Sequence, residues 1–376
     1  MNVQSLRWQE GRWEHEGAPL RSATLVLYFG APAVLASSSA VEDLRQRYPG
    51  ARVVGCSTGG EILADEALDE SAVAAAVQFE GTTVQVASEH VEVGADSEQV
   101  GAALGAKLAG PSLRCVFVLS DGTRINGSAL VRGLRRSLGD DVVITGGLAG
   151  DGARFGATLV GADGAPAVGN VVAVGFQGAA LRVGHGSVGG WEPFGPQRAI
   201  TRARDNVLYE VDGEPALALY KRYLGKDAAG LPGSALHFPL SIRRSGEAEV
   251  DLVRTVLSVD EAAQSMTFAG DMPEGAVVQL MRGSMARLVS GAREAAGQAR
   301  REHGGTLAVL VSCIGRKLLM GQRASDEVEA VATTLGPGAV TMGFYSYGEF
   351  SPHAATGQCE LHNQTMTITT FAEHAA

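Results

Sequence analysis

Residues 53–62 read VVGCSTGGEI, and residues 341–350 read TMGFYSYGEF. Both leave an apolar run at a glycine, pass hydroxyl residues to a further glycine, and end on glutamate followed by an apolar side chain. Working outward from the first, residues 24–30 (TLVLYFG) are an unbroken apolar run ending at glycine. Such a run predicts a strand buried on both faces. Helical spacing over residues 41–48 and a second short strand at 52–55 follow, so the glycine–glutamate loop closes a strand–helix–strand unit.

The unit recurs. Residues 116–122 (VFVLSDG), a helix over 127–138, a strand at 142–145 and the loop 146–151 make a second copy. Residues 309–315 (VLVSCIG), a helix over 326–335, a strand at 339–343 and the loop 344–349 make a third. From the terminal glycine to the loop acid the separations are 31, 29 and 34 residues, the length of a βαβ crossover. Further strands are expected at 71–79 and 361–371. Between the second and third copies lie short runs with Gly and Asp-Gly punctuation, at 158–161, 171–176 and 181–188. A helix at 214–223 is followed by strands at 237–242, 251–258, 265–268 and 276–281, then by a long amphipathic helix over 284–303. The fold class predicted is α/β: two domains with mixed β-sheets flanked by helices, built on recurring strand–helix–strand units with Gly-rich acidic loops. The domains are placed at 22–215 and 216–371.

Bulk properties narrow the function. The chain has 376 residues, 45% hydrophobic and 19% charged, with 50 glycines and a formal net charge of −10. That describes a packed globular protein, and the dispersed glycines suit tight turns and close backbone approaches. No Lys/Arg cluster forms a nucleic-acid footprint, because Arg132, Arg135 and Arg136 fall on one helix face. Nucleic acid and membranes are not expected partners. No apolar stretch reaches the roughly 20 residues needed to span a bilayer, and no basic-then-apolar leader is evident. Cys56, Cys115, Cys313 and Cys359 form no CxxC pair, so the expected compartment is the cytoplasm, without disulfides or a sequence-local metal site.

Residues 55–59 (GCSTG) match the nucleophile-elbow pattern, yet the paired glycines Gly59-Gly60 oppose the helix that motif requires. A hydrolase using Ser57 or Cys56 is therefore a minor alternative. GxGxxG at 184–189 runs into GWEPFGP rather than a helix, which excludes a dinucleotide site there. The glycine loops are the stronger candidates, since consecutive backbone N–H groups can converge on an anion. Ser57, Thr58, Tyr345 and Ser346 add hydroxyls, while Glu61 and Glu349 could accept from an ammonium group. Arg316, following a buried-looking strand, could grip a carboxylate. The alternative is that each glutamate caps a helix or pairs with a structural arginine, and that Arg316 is surface-exposed or held in a salt bridge.

Taken together, residues 53–62 and 146–152 (GGLAGDG), Cys313-Ile314-Gly315-Arg316, residues 343–349 and Leu361-His362-Asn363-Gln364-Thr365 resemble the FIST family of bacterial sensory proteins. The match runs over both its N- and C-terminal domains. The resemblance implies a small-ligand-binding module, with amino acids as proposed ligands, that signals to a histidine kinase or a cyclic-di-GMP enzyme. With no such segment in this chain, the expected output is a separate partner; a homodimer stays open. The candidate ligand-binding set is Cys56, Ser57, Thr58, Glu61, Asp151, Cys313, Arg316, Tyr345, Glu349 and Asn363. One branch of the family resembles haem proteins that sense nitric oxide. A haem cofactor would need a histidine, and His237, then His362 and His185, are the candidates by their apolar or glycine neighbours. His15, His90, His303 and His374 read as surface residues.

Overall fold

The computed structural model describes residues 1–374 except 16, 38, 245–250 and 301–305, so the His303 assignment lies outside the described residues. Each expected unit is present as a parallel strand pair with a third, antiparallel strand beside the first. In unit one, Leu25–Gly30 pairs with Arg52–Ser57 and with Ala72–Gln78. In unit two, Leu113–Ser120 pairs with Val143–Leu148 and with Asn170–Gln177. In unit three, Thr306–Cys313 pairs with Ala339–Ser346 and with Met366–Glu373.

The register is the same in all three. Gly55 stands opposite Tyr28, Gly146 opposite Val118, and Gly343 opposite Leu310. A Cβ at any of these glycines would collide with the carbonyl of the residue opposite. Glycine is thus demanded by close backbone approach, and at Gly146 also by a φ of +128°.

The units also exchange strands. Glu61–Leu63, the segment after unit one's loop, pairs with Ala339–Ser346 of unit three. Val160–Ala162, after unit two's loop, pairs with Arg52–Ser57 of unit one. Gly348–Pro352, after unit three's loop, pairs with Val143–Leu148 of unit two. Three six-stranded sheets result, related by a pseudo-threefold arrangement. Two of them contain strands from both sides of residues 215 and 216.

The strands are buried on both faces, and alternation assigns each face to a core. Leu25, Leu27, Phe29, Phe117, Leu119, Val309 and Val311 point into one central cluster shared by the three sheets. There the Phe29 and Phe344 rings lie 4.5 Å apart. The intervening Val26 and Tyr28 face the helix Ala40–Arg47, while Val116, Val118, Ala308 and Leu310 face the other outer helices.

Among these helices, Ser97–Leu108 is missing from the sequence reading. Its N-cap is Asp96, whose side chain accepts from Glu98 N and Gln99 N. Asn126 caps Gly127–Leu138 in the same way, a contribution of about 1 kcal/mol per cap. The two helices cross through Gly101 against the Leu130 carbonyl and Gly133 against the Glu98 carbonyl.

A fourth, nine-stranded antiparallel sheet starts at Trp191–Pro193 and ends at Val277–Gly283. Its own core packs around the helix Ala216–Leu224. Residues 184–188 of the GxGxxG match lie in the strand Leu181–Val188, with no helix after them. No helix among the described residues is long and apolar enough to cross a membrane.

Candidate functional site

The three acidic loops meet where the sheets converge. Gly59 N donates to Tyr345 O (2.7 Å), Gly150 N to Ser57 O (3.0 Å), and Tyr347 N to Leu148 O (3.3 Å). Each loop thus donates to another in a closed ring of backbone hydrogen bonds. Counted from the glycines Gly55, Gly146 and Gly343, the donors are equivalent positions, and so are the acceptors.

The two glutamates act alike. Glu61 is fully buried; it accepts from Thr58 Oγ1, from Ser71 N (3.1 Å) and from Ser71 Oγ (2.6 Å). Glu349, also fully buried, accepts from Ser346 Oγ (2.6 Å), Thr365 N (3.2 Å) and Thr365 Oγ1 (2.9 Å). Ser71 and Thr365 immediately precede the third strand of their units, so each glutamate ties its loop to that strand's start. Burial pushes the carboxyls up, to about 7 for Glu61 and about 8 for Glu349, against the lowering effect of these donors. Their oxygens are engaged with the chain itself, at a strand start rather than at a helix end or on an arginine.

Arg316 is likewise turned inward. It is fully buried, bonding Glu327 Oε2 through Nε (3.0 Å) and Nη2 (2.7 Å) and Leu288 O through Nη2 (2.9 Å). Nη1 donates to Gly189 O and to Gln364 O (3.4 Å). An internal salt bridge, not an open cation, follows the third unit's first strand.

Asp151 accepts from Gly156 N (2.9 Å), Ala157 N (3.0 Å) and the Tyr347 hydroxyl, holding its own loop. Ser57 Oγ donates to Gly150 O (2.8 Å) and accepts from Leu159 N (2.8 Å), so its hydroxyl is fully engaged in the interior. Burial holds the Cys56 thiol well above its usual range, raises that of Cys313, and pushes Cys115 up to about 12. All four cysteines are buried and unbridged. The Asn363 amide donates to Tyr347 O (3.4 Å), leaving its buried Oδ1 without a partner.

Two open clefts flank the ring. The first, about 600 Å³, is lined by Ala31–Val34 positions 31–34, by Thr58, Gly59, Gly60 and Glu61, and by Asp69, Glu70, Gly152 and Arg154. Arg154 and Glu70 form no hydrogen bond or ion pair among the described residues, while Asp69 pairs with Lys317. The second, about 610 Å³, is lined by Gly122, Thr123, Arg124, Leu148 and Tyr347 together with residues of the fourth sheet such as Phe268. These occupy corresponding places after the first strands of units one and two. The third such place is closed: Ile314 packs on Gly59, and Lys317 Nζ donates to Gly59 O (3.1 Å) and lies 5.2 Å from the Tyr345 ring centre.

Of the sequence candidates, Thr58 and Glu61 reach an open cleft. The sequence reading missed Glu70, Arg154 and Lys317. Arg154 stands two residues beyond GGLAGDG, and Lys317 directly follows Arg316, so both were within view of quoted motifs.

Of the three haem candidates, His362 is turned into the interior. His362 is buried, its Nε2 lies 3.0 Å from Ser351 O, and burial pushes its pKa down to about 3. Its ring stacks with His353 at 5.9 Å. His237 ends a short 3-10 helix and His185 lies mid-strand, both half-buried. None of the four clefts, the two above and two along the fourth sheet, is lined by histidine.

Ligand-sized clefts thus flank the interlocked loops of a three-sheet β-core. The FIST N domain matches residues 24–214 and the FIST C domain residues 216–352. The chain therefore belongs to the FIST family, whose domains are associated with small-ligand sensing in signal transduction. No curated protein matches the sequence. Among solved structures, a crystal structure of cyanuric acid hydrolase from A. caulinodans aligns over 96% of this chain and 92% of its own, at 9% identity and a TM-score of 0.32. That likeness is too distant to carry an argument.

Proposed function

We propose that the protein senses a small zwitterion of the amino-acid type, bound in the first cleft, and reports it to a separate signalling partner such as a histidine kinase or a cyclic-di-GMP enzyme. The observation that supports this reading is one cleft lined by both a cation, Arg154, and an anion, Glu70, neither with a partner among the described residues. A guanidinium can take a carboxylate in bidentate fashion, and a carboxylate can accept from an ammonium group. Gly59 and Gly60 line the same cleft. Glu61 contributes by holding the loop rather than by contact. Signalling would follow from population shift: a ligand favours whichever arrangement of loops 58–61 and 152–157 it binds better.

The test is a thermal-shift and calorimetric screen of amino acids. Ligand at 100 times its Kd should stabilise the protein by about 2.7 kcal/mol. Arg154→Ala and Glu70→Gln should each weaken binding at least tenfold. A panel with no binding to the unaltered protein, or equal binding by both variants, would sink the proposal.

A further inference from the structure

The second cleft carries its own inference. Arg124 lies four positions after Ser120, and Arg316 four positions after Ser312. Ser120 and Ser312 are equivalent by register, standing opposite Val171 and Met366 near the start of each third strand. Arg124 and Arg316 thus follow equivalent strand positions by the same number of residues, Arg124 in a turn and Arg316 in the helix Ile314–Met320. In unit three the arginine is neutralised internally by Glu327, both side chains being fully buried. In unit two the arginine faces a cleft of about 610 Å³ and has no carboxylate partner among the described residues. Its backbone N–H donates to Asp121 Oδ1 (2.9 Å), and among the described residues its guanidinium makes one long hydrogen bond, from Nη1 to Val91 O (3.5 Å).

The other charges of the cleft are already matched. Arg132 is held by Glu98 and Asp271, and the Asp96 carboxylate caps the helix Ser97–Leu108. Asp205 sits at the rim, its side chain 76% exposed, beside Arg204 at 3.8 Å. Arg124 is the lining guanidinium without a carboxylate partner among the described residues, in a cleft that also holds the Asp96, Glu98 and Asp205 carboxylates, with Leu148, Tyr347, Leu257 and Ala269 supplying apolar wall.

We infer that this cleft is a second small-molecule site, for a carboxylate-bearing ligand whose carboxylate meets Arg124 as Glu327 meets Arg316, and whose apolar part lies against Tyr347 and Leu257. Its walls come from unit two, from Tyr347 of unit three and from the fourth sheet. A ligand there joins the fourth sheet to the three-sheet core. The site is independent of the first cleft, which has its own arginine.

The experiment is calorimetry on the full chain with acetate, pyruvate and benzoate, each run against its neutral amide. At least one carboxylate is expected to bind while its amide does not. Arg124→Gln should weaken that carboxylate at least tenfold. Ala129→Phe, which keeps Arg124 but puts a ring into the cleft from the half-exposed face of the helix Gly127–Leu138, should abolish it. Arg154→Ala, in the first cleft, should leave it unchanged. The inference is overturned if no carboxylate binds, if an amide binds as well as its acid, or if Arg124→Gln and Ala129→Phe both bind like the unaltered protein. Loss of carboxylate binding in Arg154→Ala alone would overturn it too, by moving the site to the first cleft. Heat-unfolding profiles of the variants separate lost binding from lost folding.

Discussion

Removing the Glu327 carboxylate tests whether Arg316 anchors the fold or serves a ligand. In Glu327→Ala a fully buried guanidinium keeps only the carbonyls of Leu288, Gly189 and Gln364 as acceptors, and Ser312 Oγ loses its 3.0 Å bond to Glu327 Oε1. Leaving one partner of a buried pair alone costs about 3–5 kcal/mol. Arg316→Ala strips three carbonyls of their donor, each at about 1–3 kcal/mol if left unsatisfied, and leaves the buried Glu327 carboxylate without its ion-pair partner. A loss of similar size is expected. The double variant Arg316→Met/Glu327→Leu removes both charges and fills the space, so it should be more stable than either single variant. Guanidinium unfolding followed by circular dichroism gives the three differences and hence the coupling between the residues. The reasoning fails if each single variant loses less than about 1 kcal/mol, or if the single losses simply add. It fails equally if Arg316→Ala loses ligand binding while its stability is untouched.

Three further outcomes follow from the same geometry. Glu61 and Glu349 have folded-state carboxyls raised to about 7 and about 8, so between the ordinary carboxyl range and those values the native state holds more protons than the unfolded state. Stability should therefore fall as pH rises from about 5 to 8. Glu349→Gln, isosteric with the protonated acid, should flatten that slope in thermal melts across the range; an unchanged slope would contradict it. Tyr347→Phe removes the hydroxyl that bonds Asp151, Gly152 O (2.9 Å) and Phe155 N (3.2 Å), and should cost about 1–3 kcal/mol. Amide exchange at residues 152–157 should quicken, and because that loop also carries Arg154, binding in the first cleft should weaken while the stacked Phe155 ring remains. Finally, none of the four thiols should react with an alkylating reagent in the native protein at pH 7, and all four should react in guanidinium. Rapid native labelling of Cys56 would contradict its burial.

The repeated unit was readable because its signal is local. Apolar runs such as 24–30, a terminal glycine, and a helix with 3.6-residue spacing at 127–138 depend only on neighbours in sequence. The exchange of strands was not readable, because Glu61–Leu63 and Gly348–Pro352 are short and pair with partners hundreds of residues away. The helix Ser97–Leu108 was passed over since its buried face is built of Gly101, Leu104, Gly105 and Leu108, where glycine masks the apolar stripe. At the site, Glu61, Glu349 and Arg316 were singled out as chemically expressive, and each has an internal partner. Sequence shows that a charge is near a strand end; it does not show whether a distant Ser71, Thr365 or Glu327 folds in to satisfy it. Arg154 drew no attention for the converse reason, being marked only by the partner it lacks.

The strand exchange also sets the order in which the chain can be completed during synthesis. Every strand of the first unit's sheet, from Asn2–Gln9 to Val160–Ala162, is made before residue 163. The second unit's sheet must wait for Gly348–Pro352 and Cys359–His362, and the third holds Glu61–Leu63 in reserve until Ala339–Ser346 arrives. At about 5–20 residues per second, that early segment spends many seconds as an open edge. A nascent chain of this protein is thus a platform with one finished wall, and its last strands act as the clasp that closes the other two.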